Sequence, residues 1–276
     1  MKKLAIVGAG SMAEALISGI VESRLITGSN IWVTNRCSRE KLQSLQKAYD
    51  VQATYNLSEL LSGADAVILA MKPKDAQEAI NLIKPYLQED MLIISVLAGV
   101  SIESIELLAE KKLPVVRAMP NTSAAVGKSA SALSANERVT KEQLEAVIGI
   151  FDTVGKSAFV EERQLDAVTG LSGSGPAYIY YLAEAMEKSA EEIGLEKGMA
   201  KEFIIQTLIG AAEMLARSAK DPEQLRKEVT SPGGTTEAGV KVLEANGVQE
   251  AFIECIKEAT AQSRRLGQSF SSTVKI

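Results

Sequence analysis

The chain of 276 residues contains no histidine. That absence excludes every mechanism built on an imidazole: Ser-His-Asp triads, His metal sites and dehydrogenases with a His acid–base. Any proton moved by this protein comes from water, a hydroxyl, a carboxyl or a lysine. Cysteine is scarce: Cys37 and Cys255 lie far apart and in no metal-ligand spacing, so no metal site is expected. Two ordinary thiols fit a reduced, cytoplasmic compartment. Aromatics make up 4% of the chain, too few for base stacking, and Lys and Arg are scattered within a net charge of −5. Nucleic acid is therefore not an expected partner. No apolar run approaches the ~20 residues of a membrane span. The first run stops at Gly8, too short for a signal-peptide core.

What is present is apolar residue in quantity, 46%, enough for a sizeable core. The most informative stretch is the opening, Leu4-Ala5-Ile6-Val7-Gly8-Ala9-Gly10-Ser11-Met12-Ala13. A short apolar run meets a glycine pair and passes at once into a helical pattern. Glycines let backbone approach a pyrophosphate, and a helix start supplies unpaired N–H groups and a positive dipole end. Ala13 holds the third fingerprint position, where a small side chain lets helix and strand pack closely. A glycine-rich turn without a ligand has the same local look; the βαβ pattern that follows favours a dinucleotide.

Strands are expected at Leu4–Val7, Ile31–Thr34, Ala66–Ala70, Leu92–Val96 and Val115–Met119, with helical patterns between them. Shorter strands follow near Ser129–Leu133 and Ser157–Val160. Continuous apolar runs such as Ala66-Val67-Ile68-Leu69-Ala70 read as parallel strands covered on both faces. Strands alternating with helices imply a doubly wound sheet. From Gln164 the pattern turns almost wholly helical. The fold class is thus α/β: a Rossmann-type doubly wound sheet over residues 1–162, then an all-helical domain over 163–276. Pro176–Ile193 and Phe203–Ala216 are apolar around much of their circumference, so they need partners on several sides. An obligate homo-oligomer with interlocking helical domains is expected.

Ligands in such sheets lie at the carboxyl ends of the strands. The second strand ends in Thr34-Asn35-Arg36, without the acid that bonds a ribose 2′-hydroxyl. An arginine there suits a 2′-phosphate, so NADP(H) is the expected cofactor, with NAD(H) also allowed. Lys72-Pro73 at the next strand end places a lysine beside the cofactor, or simply at a surface turn. Leu97-Ala98-Gly99 is small enough to approach a ring, and Pro120-Asn121-Thr122 adds a polar turn. In the helical half, Gly170-Leu171-Ser172-Gly173-Ser174-Gly175-Pro176 interrupts the helical pattern, for packing or for close approach to a ligand. Thr230-Ser231-Pro232-Gly233-Gly234-Thr235-Thr236 is a flexible, hydroxyl-rich turn at a helix start, suited to a carboxylate or to capping alone.

Together these segments resemble the pyrroline-5-carboxylate reductase family along the whole chain. The most specific parts are Asp166 to Tyr178 and Ser231-Pro232-Gly233-Gly234-Thr235-Thr236. The resemblance implies a Rossmann domain and a helical dimerisation domain, and reduction of 1-pyrroline-5-carboxylate to L-proline, the last step of proline synthesis. It implies homodimers through the C-terminal helices and larger rings such as decamers. It places the cofactor on Val7, Gly8, Ala9, Gly10, Ser11 and Met12, on Thr34, Asn35 and Arg36, and on Asn56. Further cofactor positions are Ala70, Met71, Lys72, Pro73, Val96, Leu97 and Ala98. Ser231, Gly234, Thr235 and Thr236 are the implied substrate residues, with Thr236 the catalytic one. On this reading the N–H groups of Gly234 and Thr235, with the Ser231 hydroxyl, hold the carboxylate, and the Thr236 hydroxyl meets the ring nitrogen. A related 3-hydroxy-acid or imine dehydrogenase is a rival. Its catalytic lysine is missing near Gly173–Tyr178, the first being Lys188. A catalytically silent dinucleotide-binding regulator is another, and the intact Ser231–Thr236 turn speaks against it.

Overall fold

The computed structural model describes residues 1–274. The first half alternates β1 (Leu4–Val7), α1 (Ser11–Glu22), β2 (Ile31–Thr34), α2 (Arg39–Tyr49), β3 (Gln52–Ala53), α3 (Leu57–Leu61), β4 (Ala66–Leu69) and α4 (Ala76–Ile83). It continues with β5 (Leu92–Ser95), α5 (Ile102–Ala109), β6 (Val115–Met119), β7 (Ser129–Ala135), α6 (Lys141–Asp152) and β8 (Gly155–Phe159). Helices follow: α7 (Leu165–Val168), α8 (Gly175–Glu192), α9 (Lys197–Arg217), α10 (Pro222–Glu228), α11 (Thr235–Ala245) and α12 (Val248–Val274).

The strands form one sheet in the order β3-β2-β1-β4-β5-β6-β7-β8. Pairing is parallel from β3 through to β6, antiparallel between β6 and β7, and parallel again between β7 and β8. Strand order reverses at β1, which lies between β2 and β4. Successive side chains of a strand point to opposite faces. Leu4 and Ile6 accordingly join a core with Leu16, Ile17, Ile20 and Phe151, while Ala5 and Val7 join one with Leu60, Ile80 and Ile105. Helices cover both faces, as the continuous apolar runs require. This is the doubly wound, Rossmann-type sheet expected from the sequence.

By packing, Met1–Pro176 and the described residues from Lys257 onward form one compact unit, and Ala177–Ile256 a second. In the first unit, α12 crosses the loop after β5 backbone to backbone. Gly99 has φ +74°, and a Cβ there would lie 3.2 Å from the Gly267 nitrogen. Nearby, Ser263 donates to Asp166 Oδ1 at 2.6 Å, and the Ser104 and Ser271 hydroxyls are 3.2 Å apart.

The segment after α7 differs from the expected interruption. Thr169–Gly173 forms one wide π-helical turn that leads into α8, so the helical path widens instead of breaking. One of its two glycines lies close to β6: a Cβ on Gly173 would sit 2.8 Å from Met119 Cε. Asn121 Nδ2 donates to the Ser172 carbonyl at 2.9 Å.

The second unit has little core of its own. Its buried apolar side chains, among the described residues, are Ala190, Ala200 and Ile204. Tyr180, Tyr181, Phe203, Ile209, Met214 and Leu215 are exposed, Tyr181 at 77%. An apolar surface of this extent on a helical unit marks an association face. No helix of the described residues is long and apolar enough to cross a membrane.

Candidate active site

The nucleotide turn follows from the register of four strands. Val7 stands level with Thr34 on one side and Leu69 on the other, and Leu69 with Ser95. The parallel strands therefore end in one row. The ladder runs on past their ends: Gly8 N–H donates to the Thr34 carbonyl at 2.9 Å, Ala70 to Val7 at 2.8 Å, and Val96 to Leu69 at 3.1 Å. The expected cofactor positions Val7–Met12, Thr34–Arg36, Ala70–Pro73 and Val96–Ala98 are thereby gathered along one edge of the sheet, with Asn56 on the loop after β3.

The two fingerprint glycines do different work. Gly8 has φ +113°, and a Cβ there would lie 2.5 Å from the backbone carbon and oxygen of Ala70. It lets the turn pack against the end of β4. Gly10 opens α1 from an extended conformation, φ −77°, and a Cβ there would meet nothing within 4 Å. The backbone faces open space at the helix start, where the first N–H groups have no carbonyl partner within the helix. Ala13 is fully buried behind the turn. Open space, unpaired donors and the positive dipole end fit a pyrophosphate.

The residues around this turn are held to different degrees. Thr34 is buried. Asn35 is fixed on both sides of its amide: Nδ2 donates to the Ser38 carbonyl at 2.7 Å, and Oδ1 accepts from Ser38 N–H at 2.9 Å and from Tyr55 Oη at 3.1 Å. Arg36 extends into solvent and contacts Asp75 Oδ1 through Nη1 at 3.4 Å. Asn56 caps α3, its oxygen accepting from Ser58 and Glu59 N–H at 3.1 and 3.3 Å. Lys72 is exposed in an extended conformation before Pro73, as a residue preceding proline should be. Asn121 is buried and committed to Ser172, so the turn after β6 is structural.

The expected substrate residues lie in the second unit. There α10 ends, a glycine turn reverses the chain, and α11 begins at Thr235. Gly233 has φ +72°, and its N–H donates to Glu237 Oε2 at 2.9 Å. Glu237 also pairs with Lys241 at 3.2 Å. The turn is thus tied down by the helix it starts. Gly234 N–H donates to the Ser231 carbonyl at 3.0 Å. This differs from the sequence reading, in which Gly234 N–H faced the substrate: closing the four-residue turn uses that donor. The N–H groups of Thr235 and Thr236, in the first turn of α11, have no intrahelical partner. The Ser231, Thr235 and Thr236 side chains are exposed around them. Lys188 is an exposed surface residue paired with Glu184 at 2.7 Å.

Switch point, glycine turn and open helix start define a dinucleotide-binding α/β protein joined to a helical association unit. Comparison with known proteins carries the assignment further. Residues 162–266 match the pyrroline-5-carboxylate reductase dimerisation family, and residues 3–99 match the coenzyme F420-dependent NADP oxidoreductase family. The chain is 48% identical to pyrroline-5-carboxylate reductase 2 of Bacillus subtilis, over 98% of this chain and 97% of that protein. It is similar to the solved pyrroline-5-carboxylate reductase of Coxiella burnetii, at TM-score 0.87 and 36% identity over 96% of this chain and 98% of that one. It is also similar to the Plasmodium falciparum pyrroline carboxylate reductase solved with NADP bound, at TM-score 0.88 and 29% identity over 96% and 98% of the two chains. The chain belongs to the pyrroline-5-carboxylate reductase family.

Proposed function

We propose that this protein reduces 1-pyrroline-5-carboxylate to L-proline, the last step of proline synthesis, in the cytoplasm, with NADPH preferred over NADH. The observation that carries the reading is the conjunction, in one member of the family, of an open pyrophosphate turn at Gly10 with an intact Ser231–Thr236 turn. The nicotinamide, when bound, supplies a hydride to the imine carbon. The residues of this chain bind and orient. Thr235 and Thr236 N–H groups, with the positive end of α11 and the Ser231 hydroxyl, hold the carboxylate. The Thr236 hydroxyl meets the ring nitrogen, which gains a lone pair as the C=N bond is reduced. A protonated imine is already a good electrophile, so no strong protein acid is required, in keeping with a chain that lacks histidine. Positioning supplies most of the rate gain.

The preference for NADPH is supported by Arg36 at the end of β2 and by the lack of an acid there. The segment 163–276 acts as the dimerisation and substrate domain of a homodimer, which assembles further into rings such as decamers; the exposed apolar faces of α8 and α9 support association. The test is NADPH oxidation measured with pyrroline-5-carboxylate against other cyclic imines, together with NADP+ reduction measured with 3-hydroxy acids. Turnover of pyrroline-5-carboxylate alone is expected. No turnover, or preference for a 3-hydroxy acid, refutes the reading.

A further inference from the structure

The strands β2 and β4 flank β1, so the loops that leave their carboxyl ends stand about 10 Å apart, two strand spacings. Only long side chains span that gap, and one pair does. Arg36, after β2, reaches Asp75, after β4, with Nη1 3.4 Å from Oδ1. The contact passes over the end of β1, where the nucleotide turn begins. Its two partners differ in freedom: the Arg36 side chain is 73% exposed and that of Asp75 29%. Asp75 occupies the cap position of α4 but makes no side-chain capping hydrogen bond. Its carboxylate is therefore not tied to the helix by a capping hydrogen bond. It is also the one acid in the turn Ala70–Gln77, which otherwise carries Lys72 and Lys74.

We propose that Asp75 is a specificity-determining residue that restrains Arg36 and so limits how strongly the site prefers a dinucleotide bearing a 2′-phosphate. The inference rests on the reading of Arg36 as the partner of that phosphate. A 2′-phosphate and the Asp75 carboxylate compete for one guanidinium, and the two anions repel each other. The phosphate carries more charge than the carboxylate, so it takes the arginine at a cost set by the pair it displaces. A dinucleotide with a free 2′-hydroxyl leaves the Arg36–Asp75 pair undisturbed. The pair thus narrows the gap between the two cofactors and keeps both usable.

The experiment titrates the full-length protein with 2′,5′-ADP and with 5′-AMP, which differ only in the phosphate. Arg36→Ala is expected to weaken 2′,5′-ADP at least ~5-fold, and Asp75→Asn to tighten it ~3-fold or more, the scale of exposed ion pairs plus relieved repulsion. Both leave 5′-AMP within about twofold, and in the Arg36→Ala background Asp75→Asn adds less than about twofold. Asp75→Ser serves as a second variant, with thermal melts checking that each protein is folded. If Arg36→Ala leaves 2′,5′-ADP unchanged, the underlying reading of Arg36 fails, and this inference with it. If Arg36→Ala acts as expected but Asp75→Asn leaves 2′,5′-ADP unchanged or weaker, or tightens both ligands alike, the inference alone is overturned. A full gain from Asp75→Asn without Arg36 likewise overturns it.

Discussion

The two glycines of the nucleotide turn should respond oppositely to the same added methyl group. At Gly8 the methyl carbon would stand 2.5 Å from the Ala70 backbone, and the residue would have to hold φ +113°. Backbone in such a region costs about 1–3 kcal/mol for a non-glycine residue. Forcing β1 and β4 apart adds an overpacking term of about 1–3 kcal/mol. Weakening the Ala70-to-Val7 hydrogen bond adds about 1 kcal/mol. The sum, about 3–7 kcal/mol, is comparable with the whole stability of an ordinary domain, ~5–15 kcal/mol. At Gly10 the methyl group meets no protein atom within 4 Å and φ is −77°. The only fold cost there is a poorer helix cap, about 1 kcal/mol. The space it fills is the space assigned to the pyrophosphate. Urea unfolding and NADPH titration, run on both variants, separate the effects. Gly8→Ala should lose most of its unfolding midpoint or fail to accumulate as folded protein. Gly10→Ala should keep its midpoint nearly intact yet bind NADPH at least ~10-fold more weakly, a loss of ~1.4 kcal/mol. Wild-type NADPH affinity in Gly10→Ala would refute the pyrophosphate assignment, and an unchanged midpoint in Gly8→Ala would refute the packing argument.

Thr236→Ala should lower kcat/KM for pyrroline-5-carboxylate ~10-fold or more with NADPH affinity retained, since one lost substrate hydrogen bond is worth ~1.4 kcal/mol; unchanged kinetics remove Thr236 from the site. Phe203→Glu places a charge on an exposed apolar face of α9 and should shift sedimentation towards monomer, whereas an unaltered species would place the association face elsewhere. Glu196 caps α9 by accepting from Gly198 and Met199 N–H, each at 2.8 Å, and these bonds hold its carboxyl below the usual carboxylate range. A depressed folded-state value means that the stabilisation is present above the unfolded pKa and fades as pH falls through the folded one. Glu196→Gln should therefore lower Tm at neutral pH, and the gap to wild type should close in acid; a gap that is constant with pH would show that the charge plays no part.

Much of the proposed site is written along the chain because its signals are local. A glycine after an apolar run, an arginine where an acid often stands, and a hydroxyl-rich turn before a helix each need only a few adjacent residues. The strands of the first half were read nearly to the residue because burial on both faces writes them as unbroken apolar runs. β3 left no such trace: Gln52–Ala53 is too short for any period and exists because β2 offers it an edge. The π-helical turn at Thr169–Gly173 was equally silent, since its glycines read as a break until Met119 is seen beside Gly173 and Asn121 bonded to Ser172. The donor at Gly234 was misassigned for the same reason, because its carbonyl partner comes from the closure of the turn and not from the residue type.

Sequence alone determined the class of fold, the glycine turn after the first strand and the family, because hydrophobic period and turn chemistry are properties of neighbouring residues. Tertiary structure alone decided which glycine is pressed against a neighbouring strand end and which faces open space, that Asp75 stands opposite Arg36, and that α12 rests on the loop after β5. Those facts depend on which distant segments strand pairing and core burial bring within a few ångströms, and no period in the chain records such distances.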